Sequence, residues 1–285
     1  MNRYSFFIIG LMLAFTSCSL AQNVIKLEIY HTNDMHSRIE PFSKDYEKAD
    51  MADKAGFVRR VTFIEKARKQ DPDLLLFDCG DFSQGSPYYN LFKGSAEIEF
   101  MNLCKYDAAT IGNHEFDFGK DNMKRIFQEA NFPFVCANYT TEGTVLEDIV
   151  KPYTILYRKG LKIGVFGLGP KLEGLVQEKN YQGIIFLDPI NTANEMARRL
   201  KEEERCDLVI CLSHLGWFEK DSANYGDKRL ASETRNIDVI LGGHTHTYMT
   251  KAKRVPNLDG KIVSVTQMGK NGQWIGHLTI TLEKK

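Results

Sequence analysis

The sequence predicts a layered α/β fold, since short apolar segments rich in β-branched residues alternate with helical segments along the chain. Seven segments are the predicted strands: 24–31, 73–78, 108–111, 134–137, 161–167, 208–213 and 239–241. Four segments between them are the predicted helices: 54–69, 96–104, 120–130 and 192–204. A second observation is that Asp, Asn and His side chains follow five of these strands. This alternation favours mostly parallel central strands, whose carboxyl ends would bring those side chains together.

Two elements carry more specific signals. The helix at 192–204 is preceded by Pro189, and Asn191 is a suitable residue to cap its first turn. Near the end of the chain, 261–267 and 274–282 alternate apolar and polar residues with a period of two, and glycines lie between them. This pattern predicts an antiparallel hairpin that closes the sheet.

Residues 1–21 are predicted to be an export signal rather than part of the fold. Arg3 supplies a positive charge, and 6–15 is an apolar segment too short to span a bilayer as a helix. Two processing sites remain open. The Ser-Leu-Ala sequence at 19–21 resembles a signal-peptidase site, and the sequence ending at Cys18 resembles a bacterial lipobox, in which Cys18 would carry lipid. Both predict an exported protein, in the periplasm or anchored by lipid at the cell envelope.

The charge balance excludes some classes of partner. The chain has 37 basic and 37 acidic residues, so its formal net charge is zero. This gives no electrostatic reason to expect a nucleic-acid or membrane-surface partner, apart from a lipid on Cys18. The residues after the signal, 22–285, have the length of one α/β domain.

Five cysteines follow the signal, namely Cys79, Cys104, Cys136, Cys206 and Cys211. They form no CxxC pair and their number is odd, so the sequence offers no disulfide framework. Several lie in apolar segments, where a thiol behaves as a small hydrophobic group. We therefore expect all five to be unpaired core residues.

The first two predicted strands each end in candidate metal ligands. Asp34 and His36 follow the first strand at a spacing that lets a carboxylate and an imidazole hold one divalent ion. Asp81 follows the second strand, and a carboxylate placed centrally can bridge two ions. Asp78 competes with Asp81 for that role. Asn33 is a candidate for a hydrogen-bond partner that supports a ligand.

The third predicted strand is followed by Asn113 and His114, and Asp117 comes three residues later. An amide oxygen suits a hard cation, so Asn113 is a candidate ligand. Asp117 is close enough in sequence to orient His114, which would favour a charged imidazole able to protonate a leaving oxygen. The alternative is that Asp117 caps the next helix and His114 is a further metal ligand.

The remaining histidines divide into two groups. His214 follows one predicted strand, and His244 and His246 follow the next, with glycines before them. Three histidines after two successive strands are poorly explained by packing and are therefore candidate ligands. His31 and His277 occupy strand positions, and we expect both to be structural.

Five motifs together resemble a known arrangement: Asn33-Asp34-x-His36, Gly80-Asp81, Gly112-Asn113-His114-Glu115-Phe116-Asp117-x-Gly119, Ser213-His214-Leu215-Gly216 and Gly243-His244-Thr245-His246. In these motifs the chain resembles the calcineurin-like metallophosphoesterases. Within them it is similar to the catalytic domain of the 5′-nucleotidase family, which includes bacterial periplasmic UDP-sugar hydrolases. The resemblance extends over about 26–282 and makes 22–285 a catalytic domain. It implies a four-layer α/β/β/α sandwich with two mixed β-sheets.

The resemblance also implies a role for each candidate residue. One metal would be held by Asp34, His36, Asp81 and His246. The other would be held by Asp81, Asn113, His214 and His244. His114 and Asp117 would form a catalytic dyad. The two divalent ions would be Zn, Mn, Fe or Co, since nitrogen and oxygen ligands are mixed and thiolates are missing from the set. Some relatives carry Gln at the position of His246, a change that would affect metal preference.

The function implied is removal of phosphate from nucleotides by a metal-activated water, as in a 5′-nucleotidase. Full-length members of the family have a C-terminal domain that binds the nucleoside, and we expect that domain to be absent here. A separate chain would then supply the specificity site. The alternatives are a phosphodiesterase or nucleotide pyrophosphatase, a broad phosphatase of the same fold, and an exported lipoprotein that binds metal or a partner with little turnover.

Overall fold

The computed structural model describes residues 24–220 and 225–283. The predicted signal at 1–21, with its lipobox cysteine Cys18, lies outside the described residues and stays a prediction. None of the helices in the described ranges is long and apolar enough to cross a membrane.

The described ranges contain strands and helices in alternation through most of their length. The strands are β1 (Val24–Thr32), β2 (Leu75–Asp78), β3 (Ala108–Ala109), β4 (Phe134–Val135), β5 (Tyr139–Thr140), β6 (Val150–Lys151), β7 (Tyr153–Arg158), β8 (Leu161–Leu168), β9 (Ile185–Phe186), β10 (Leu208–Ser213), β11 (Val239–Leu241), β12 (Lys253–Pro256), β13 (Ile262–Thr266) and β14 (Gly276–Glu283). The helices are α1 (Phe57–Gln70), α2 (Pro87–Phe92), α3 (Ser95–Cys104), α4 (Gly119–Gln128), α5 (Glu178–Tyr181), α6 (Pro189–Arg198) and α7 (Asp227–Ser232). A 3-10 turn spans His114–Phe116, and a π-helical turn, Arg199–Glu203, extends α6.

Two mixed sheets of six strands form the centre of the fold. The first has the order β14-β1-β2-β3-β4-β6, in which only β14 is antiparallel to its neighbour. The second has the order β12-β13-β11-β10-β8-β7, with antiparallel strands at both edges and parallel strands between them. A separate two-stranded ribbon pairs β5 with β9.

The two sheets pack face to face, and helices cover their outer faces. The layer between the sheets is built from buried side chains of both, among them Leu27, Ile29, Leu75, Phe77, Ile163, Val165, Ile210 and Leu212. Helices α1, α3 and α4 cover the first sheet through Ile64, Met101 and Ile126. Helices α6 and α7 cover the second through Met196 and Leu230. The predicted four-layer α/β/β/α sandwich with two mixed sheets is confirmed.

The predicted hairpin at the end of the chain is wrong. The segment 261–267 forms β13, which pairs with β11 and β12 in the second sheet. The segment 274–282 forms β14, which runs antiparallel to β1 in the first sheet over eight residue pairs. A period-two pattern shows that each strand has one buried face, but it does not specify which sheet supplies the partner. The chain therefore crosses from one sheet to the other between these strands.

The start of α6 also differs from the prediction. The helix begins at Pro189, and the cap is Asp188, whose Oδ1 accepts a hydrogen bond of 2.8 Å from the backbone N–H of Asn191. Asn191 is therefore the donor to the cap rather than the cap itself. Proline at the first helical position fits this arrangement because its missing N–H is not needed there.

All five cysteines after the predicted signal are buried and unpaired, as expected from the sequence. Burial raises the pKa of Cys79, Cys136 and Cys211 far enough to keep each a neutral thiol. They act as small apolar core residues.

Candidate metal centre

The predicted ligands gather where the parallel strands of both sheets end. Asp34 follows β1, Asp81 follows β2 and Asn113 follows β3, all on the first sheet. His214 directly follows β10 on the second sheet, and His244 comes shortly after β11. The carboxyl edge of a parallel sheet is the usual place for ligand groups, and here the edges of two sheets meet.

Backbone hydrogen bonds fix the loops that carry these residues. The Asp34 N–H donates to the Gly80 carbonyl at 2.9 Å, and the His36 N–H donates to the Asp81 carbonyl at 3.0 Å. The His244 N–H donates to Asp34 Oδ2 at 2.9 Å, which joins the second sheet to the first. These hydrogen bonds join the loops that carry Asp34, His36, Asp81 and His244, so the side chains of the site are held close to one another.

One group of side chains is formed by Asp34, His36 and His246. The two imidazole Nε2 atoms lie 3.0 Å apart, and Asp34 Oδ1 lies 3.3 Å from His246 Nε2 and 3.9 Å from His36 Nε2. For metal–ligand bonds of about 2.0–2.1 Å, neighbouring ligands of a tetrahedral ion lie about 3.3–3.4 Å apart. The spacing of the three atoms fits a single divalent ion.

A second group is formed by Asp81, His214 and His244, whose ligand atoms all lie within 4.8 Å of one another. Asp81 Oδ2 is 3.1 Å from His214 Nε2. Asn113 lies beside this group in sequence and space, since the N–H of His114 donates to Asp81 Oδ1 at 2.9 Å. The Asn113 Oδ1 atom is buried and has no hydrogen-bond partner among the described residues. A buried amide oxygen without a donor fits a cation ligand.

Asp81 lies between the two groups, because it shares one set of ligand atoms with His36 of the first group and another with His214 and His244. Besides the group with His214 and His244, it lies with His36 and His114 in a set whose ligand atoms are within 4.8 Å of one another. A carboxylate in this position has one oxygen for each of two ions. The mixture of imidazole, carboxylate and amide donors fits two neighbouring divalent transition-metal ions.

The orientation of the His214 ring is fixed by a hydrogen bond on the side away from the site. Its Nδ1 donates to the Cys79 carbonyl at 2.6 Å, so Nε2 is the atom that faces the site. Burial lowers the pKa of His214, but the Asp81 carboxylate, the Asp34 charge and the hydrogen bond to the Cys79 carbonyl together raise it, and the result is about 10. His244 is affected in the opposite way, because burial and the neighbouring His214 lower its pKa to about 4.

Asp34 is supported by Asn33, as predicted. The Asn33 Nδ2 donates to Asp34 Oδ2 at 2.6 Å and to the Gly269 carbonyl at 2.8 Å, while its Oδ1 accepts from the Met268 N–H at 2.8 Å. Asn33 therefore ties the Asp34 carboxylate to the chain that crosses between β13 and β14.

The side chains of His114 and Asp117 pair directly. His114 Nδ1 lies 2.9 Å from Asp117 Oδ2, and both side chains are about one-third exposed. Burial lowers the pKa of His114, but the hydrogen bond to Asp117 and the charge of Asp81 raise it, and the net shift is upward. Asp117 does not cap the next helix, because α4 has no side-chain cap. His114 also lies within reach of His36 and Asp81, so its position fits both a proton donor and a further ligand.

Glu115, for which no role was predicted, is nearly completely buried beneath the site. Its Oε2 accepts from the Gly112 N–H at 2.7 Å and from the Asp81 N–H at 2.9 Å, and its Oε1 accepts from Ser83 Oγ at 3.1 Å. Burial and the Asp81 carboxylate raise the pKa of Glu115 to about 7. The only sequence signal for it is its place after Asn113 and His114 in a dense polar motif.

Asp78, the competitor of Asp81, faces away from the cluster. Its two oxygens accept from Thr32 Oγ1 at 2.7 Å and from the Gly80 N–H at 3.0 Å. Burial raises its pKa to about 8. Asp78 therefore shapes the turn that carries Asp81 and is not among the clustered ligand atoms.

His31 and His277 lie outside the cluster, as expected. His31 is fully buried, and neither of its ring nitrogens has a hydrogen-bond partner among the described residues. The His277 Nε2 lies 2.6 Å from Glu28 Oε2, and its ring stacks on Tyr30 at a centroid distance of 4.2 Å. Both side chains belong to the packing of β1 and β14.

Comparison with known proteins identifies one family over most of the chain. The family described as calcineurin-like phosphoesterase matches residues 27–248. The chain is 31% identical over 296 residues to snake venom 5′-nucleotidase from Gloydius brevicauda, in an alignment that covers 98% of this chain and 49% of that protein. It is 32% identical over 279 residues to 5′-nucleotidase from Homo sapiens, with 91% of this chain and 47% of that protein covered.

The solved structures show the same relationship. The structure of a 5′-nucleotidase precursor from Thermus thermophilus matches with a TM-score of 0.80 at 27% identity, covering 91% of this chain and 54% of that chain. The chain thus spans about half the length of the relatives it matches. On the family match and the two 5′-nucleotidase alignments, the chain belongs to the calcineurin-like phosphoesterase family.

Proposed function

We propose that this chain is a two-metal phosphoester hydrolase that removes phosphate from nucleotides. The observation that carries the proposal is the position of Asp81, whose carboxylate lies with His36 and His114 in one set of ligand atoms and with His214 and His244 in another, next to the paired His114 and Asp117. The names of the matched relatives support a nucleotide as the small-molecule substrate. The segment at 1–21 supports export to the cell envelope, with or without lipid on Cys18.

The proposed ligand sets are those implied by the motifs. One ion would be held by Asp34, His36, Asp81 and His246, and the other by Asp81, Asn113, His214 and His244. Divalent ions bound there would polarise the phosphoryl oxygens and supply hydroxide at neutral pH. Zn, Mn, Fe and Co all suit the nitrogen and oxygen donors.

The proposed role of His114 is to stabilise the transition state and to protonate the leaving oxygen. Asp117 holds the proton on Nδ1 and fixes the ring orientation, and the raised pKa of His114 favours the charged imidazole. A correctly placed acid of this kind contributes about 10²–10⁴-fold to the rate. The partial exposure of His114 leaves it reachable by a substrate.

The test compares wild type with His114→Ala in a hydrolysis assay supplied with Zn, Mn, Fe or Co. We expect His114→Ala to lower kcat by about 10²–10⁴-fold while the metal content, measured by mass spectrometry, stays unchanged. His277→Ala is the matched control, because His277 lies outside the cluster. Equal low activity in wild type and His114→Ala, with metals bound in both, would show a metal-binding protein without this catalysis.

The same assay separates the enzymatic alternatives. Nucleoside monophosphates, cyclic nucleotides, UDP-sugars and an aryl phosphate present different bonds to one metal centre. Hydrolysis of monophosphates with little cleavage of the others agrees with the proposal. Preferential cleavage of cyclic nucleotides or UDP-sugars would instead identify a phosphodiesterase or pyrophosphatase.

A further inference from the structure

A cavity of about 500 Å³ opens directly beside the candidate metal centre. It lies between the segment that follows β8 and the segment that follows β10. Its apolar walls come from Leu175 and Phe186 on one side and from Leu215 and Phe218 on the other, and His244 forms part of its lining. Small-molecule sites are typically concave, largely apolar and about 300–1,000 Å³ in volume. The cavity has this character and shares a residue with the proposed ligand set.

The wall that contains Phe218 is held in place by the loop of the metal centre. The Trp217 N–H donates to Thr245 Oγ1 at 2.9 Å. Gly216 has a φ of 91°, and a Cβ there would lie 2.6 Å from Thr245 Cγ2. This close contact leaves no room for a larger residue at Gly216. The backbone at Gly216 and Trp217, directly before Phe218, is therefore packed against Thr245, the neighbour of His244.

The opposite wall is anchored to the core. Phe186, on β9, packs against Tyr139 at a ring-centroid distance of 6.4 Å, and Tyr139 is almost fully buried. The Tyr139 hydroxyl donates to the Pro170 carbonyl at 2.5 Å, which fixes the start of the segment that forms this wall. One wall is thus anchored through the β5–β9 ribbon and Pro170, and the other begins shortly after β10 with Leu215.

The charges at the cavity favour an uncharged ligand group. Lys171 and Glu173 both line it, and they form an ion pair with each other. The other lining side chains are apolar or aromatic, with Tyr225 and His244 among them. The recognition available here is therefore stacking and apolar contact rather than attraction of a second anionic group.

We propose that this cavity binds the aromatic ring of the organic part of the substrate, a nucleobase, while the phosphate lies at the metal centre. The proposal rests on the proposed nucleotide hydrolysis. It assigns part of the substrate specificity to this chain itself, with Phe218 as a residue that contacts the ring.

The first experiment compares two esters that share the same 5′-phosphate linkage, adenosine 5′-monophosphate and ribose 5-phosphate. Phe218→Ala is expected to raise the KM for adenosine 5′-monophosphate roughly tenfold, as loss of a base–aromatic stack does. Its kcat, and both constants for ribose 5-phosphate, should stay near those of wild type. Phe63→Ala is the matched control, since Phe63 is 47% exposed on α1 and does not line this cavity. An equal rise of KM for both esters, or the same effect in the control, would overturn the proposal.

The second experiment does not depend on hydrolysis. The chain has two tryptophans, so in Trp274→Phe the only one left is Trp217, which precedes Phe218. Adenosine is titrated into this variant after removal of metals, and the fluorescence of Trp217 is followed. Saturable binding that weakens when Phe218→Ala is added supports the cavity, and no binding overturns it. If adenosine binds but neither ester is hydrolysed, the proposed function fails while the cavity assignment stands.

Discussion

Five of the candidate ligands have a strained, left-handed backbone. Positive φ values, which L-amino acids avoid, occur at Asp34 (48°), His36 (45°), Asp81 (55°), His244 (77°) and His246 (55°). Each such conformation costs of order 1–3 kcal/mol and persists only when the surroundings enforce it. Here the surroundings do so through the hydrogen bonds from Asp34 and His36 to the turn at Gly80 and Asp81. The protein itself therefore holds the ligands in place.

Gly112 shows how little space the site leaves. A Cβ at this position would lie 2.1 Å from Asp81 Oδ1, so Gly112→Ala must displace the proposed bridging carboxylate. We expect this variant to lose bound metal and to be destabilised by about 1–3 kcal/mol, measured by metal analysis and denaturant unfolding. Gly174→Ala is the control for metal content. Its φ of 83° strains an added side chain and lowers stability too, but its Cβ has no neighbour within 4 Å to displace. Normal metal content in Gly112→Ala would contradict the bridging role of Asp81.

At the scale of elements, the sequence predicted the buried strands better than the exposed ones. Strands β8, β10 and β11 lie within a residue of their predicted bounds, because they are buried and form continuous apolar runs. Strand β12, Lys253–Pro256, was not predicted, since its residues are mostly exposed and it exists through its pairing with β13. Pairing partners are a property of the assembled sheet, and the wrongly predicted hairpin has the same cause.

The candidate site was predictable for a different reason. The candidate ligands come shortly after strands, and this placement does not depend on the lengths of the helices between the strands. Asp34, Asp81 and His214 could therefore be identified from the sequence. Glu115 was not, because its role depends on backbone N–H groups of two separate loops. Almost every residue has a backbone N–H, so the residue types in the sequence do not show which N–H groups Glu115 accepts from. The residues proposed to touch metal were therefore easier to predict than the residue that holds their loops.

Glu115 links the loop after β2 to the loop after β3. We expect Glu115→Ala to weaken metal binding by about 10–100-fold, since it frees the N–H groups of Asp81 and Gly112. Glu115→Gln should be milder, because its amide oxygen can still accept from both. Isothermal titration with Zn or Mn measures the affinity of each variant.

The control for this prediction is Ser83→Ala, which removes only the 3.1 Å hydrogen bond to the other oxygen of Glu115. It should bind metal nearly as well as wild type. If Glu115→Gln and Glu115→Ala lose affinity equally, the buried charge matters more than the hydrogen bonds to the two loops. An unchanged affinity in Glu115→Ala would remove Glu115 from the support of the site.

At the scale of the whole molecule, the apolar layer between the sheets contains a histidine, His31. His31 lies on the same face of β1 as Leu27 and Ile29, because side chains two residues apart in a strand point the same way, and it therefore points into the same buried layer. Its cross-strand partner in β14 is Gly276, whose missing side chain leaves space for the ring. Burial without a partner lowers the pKa of His31 to about 3, so it remains neutral in the folded protein under mildly acidic conditions.

This histidine should make the packing of the two sheets sensitive to acid. The pKa of His31 is lower in the folded state than the ordinary value of 6.5, so between about pH 6.5 and 3 the unfolded chain binds a proton that the folded chain does not. Stability from this group is therefore complete above pH 6.5 and falls as the pH drops, by up to ~1.4 kcal/mol per pH unit. At about pH 5 the loss relative to neutral pH reaches about 2 kcal/mol.

The test is His31→Leu, which fits the apolar layer and removes the titrating group. Denaturant unfolding at several pH values, with a chelator present in every sample, should show a smaller loss of unfolding free energy in the variant as the pH drops to about 5. Buried Asp78 and Asp227 have pKa values raised to about 8 and 7, so each favours the folded state at lower pH, with the opposite sign. Both carboxyls are present in wild type and variant, and the difference between the two curves isolates His31. Parallel curves would mean that the ring is protonated in the folded state, and that the layer between the sheets tolerates a charge.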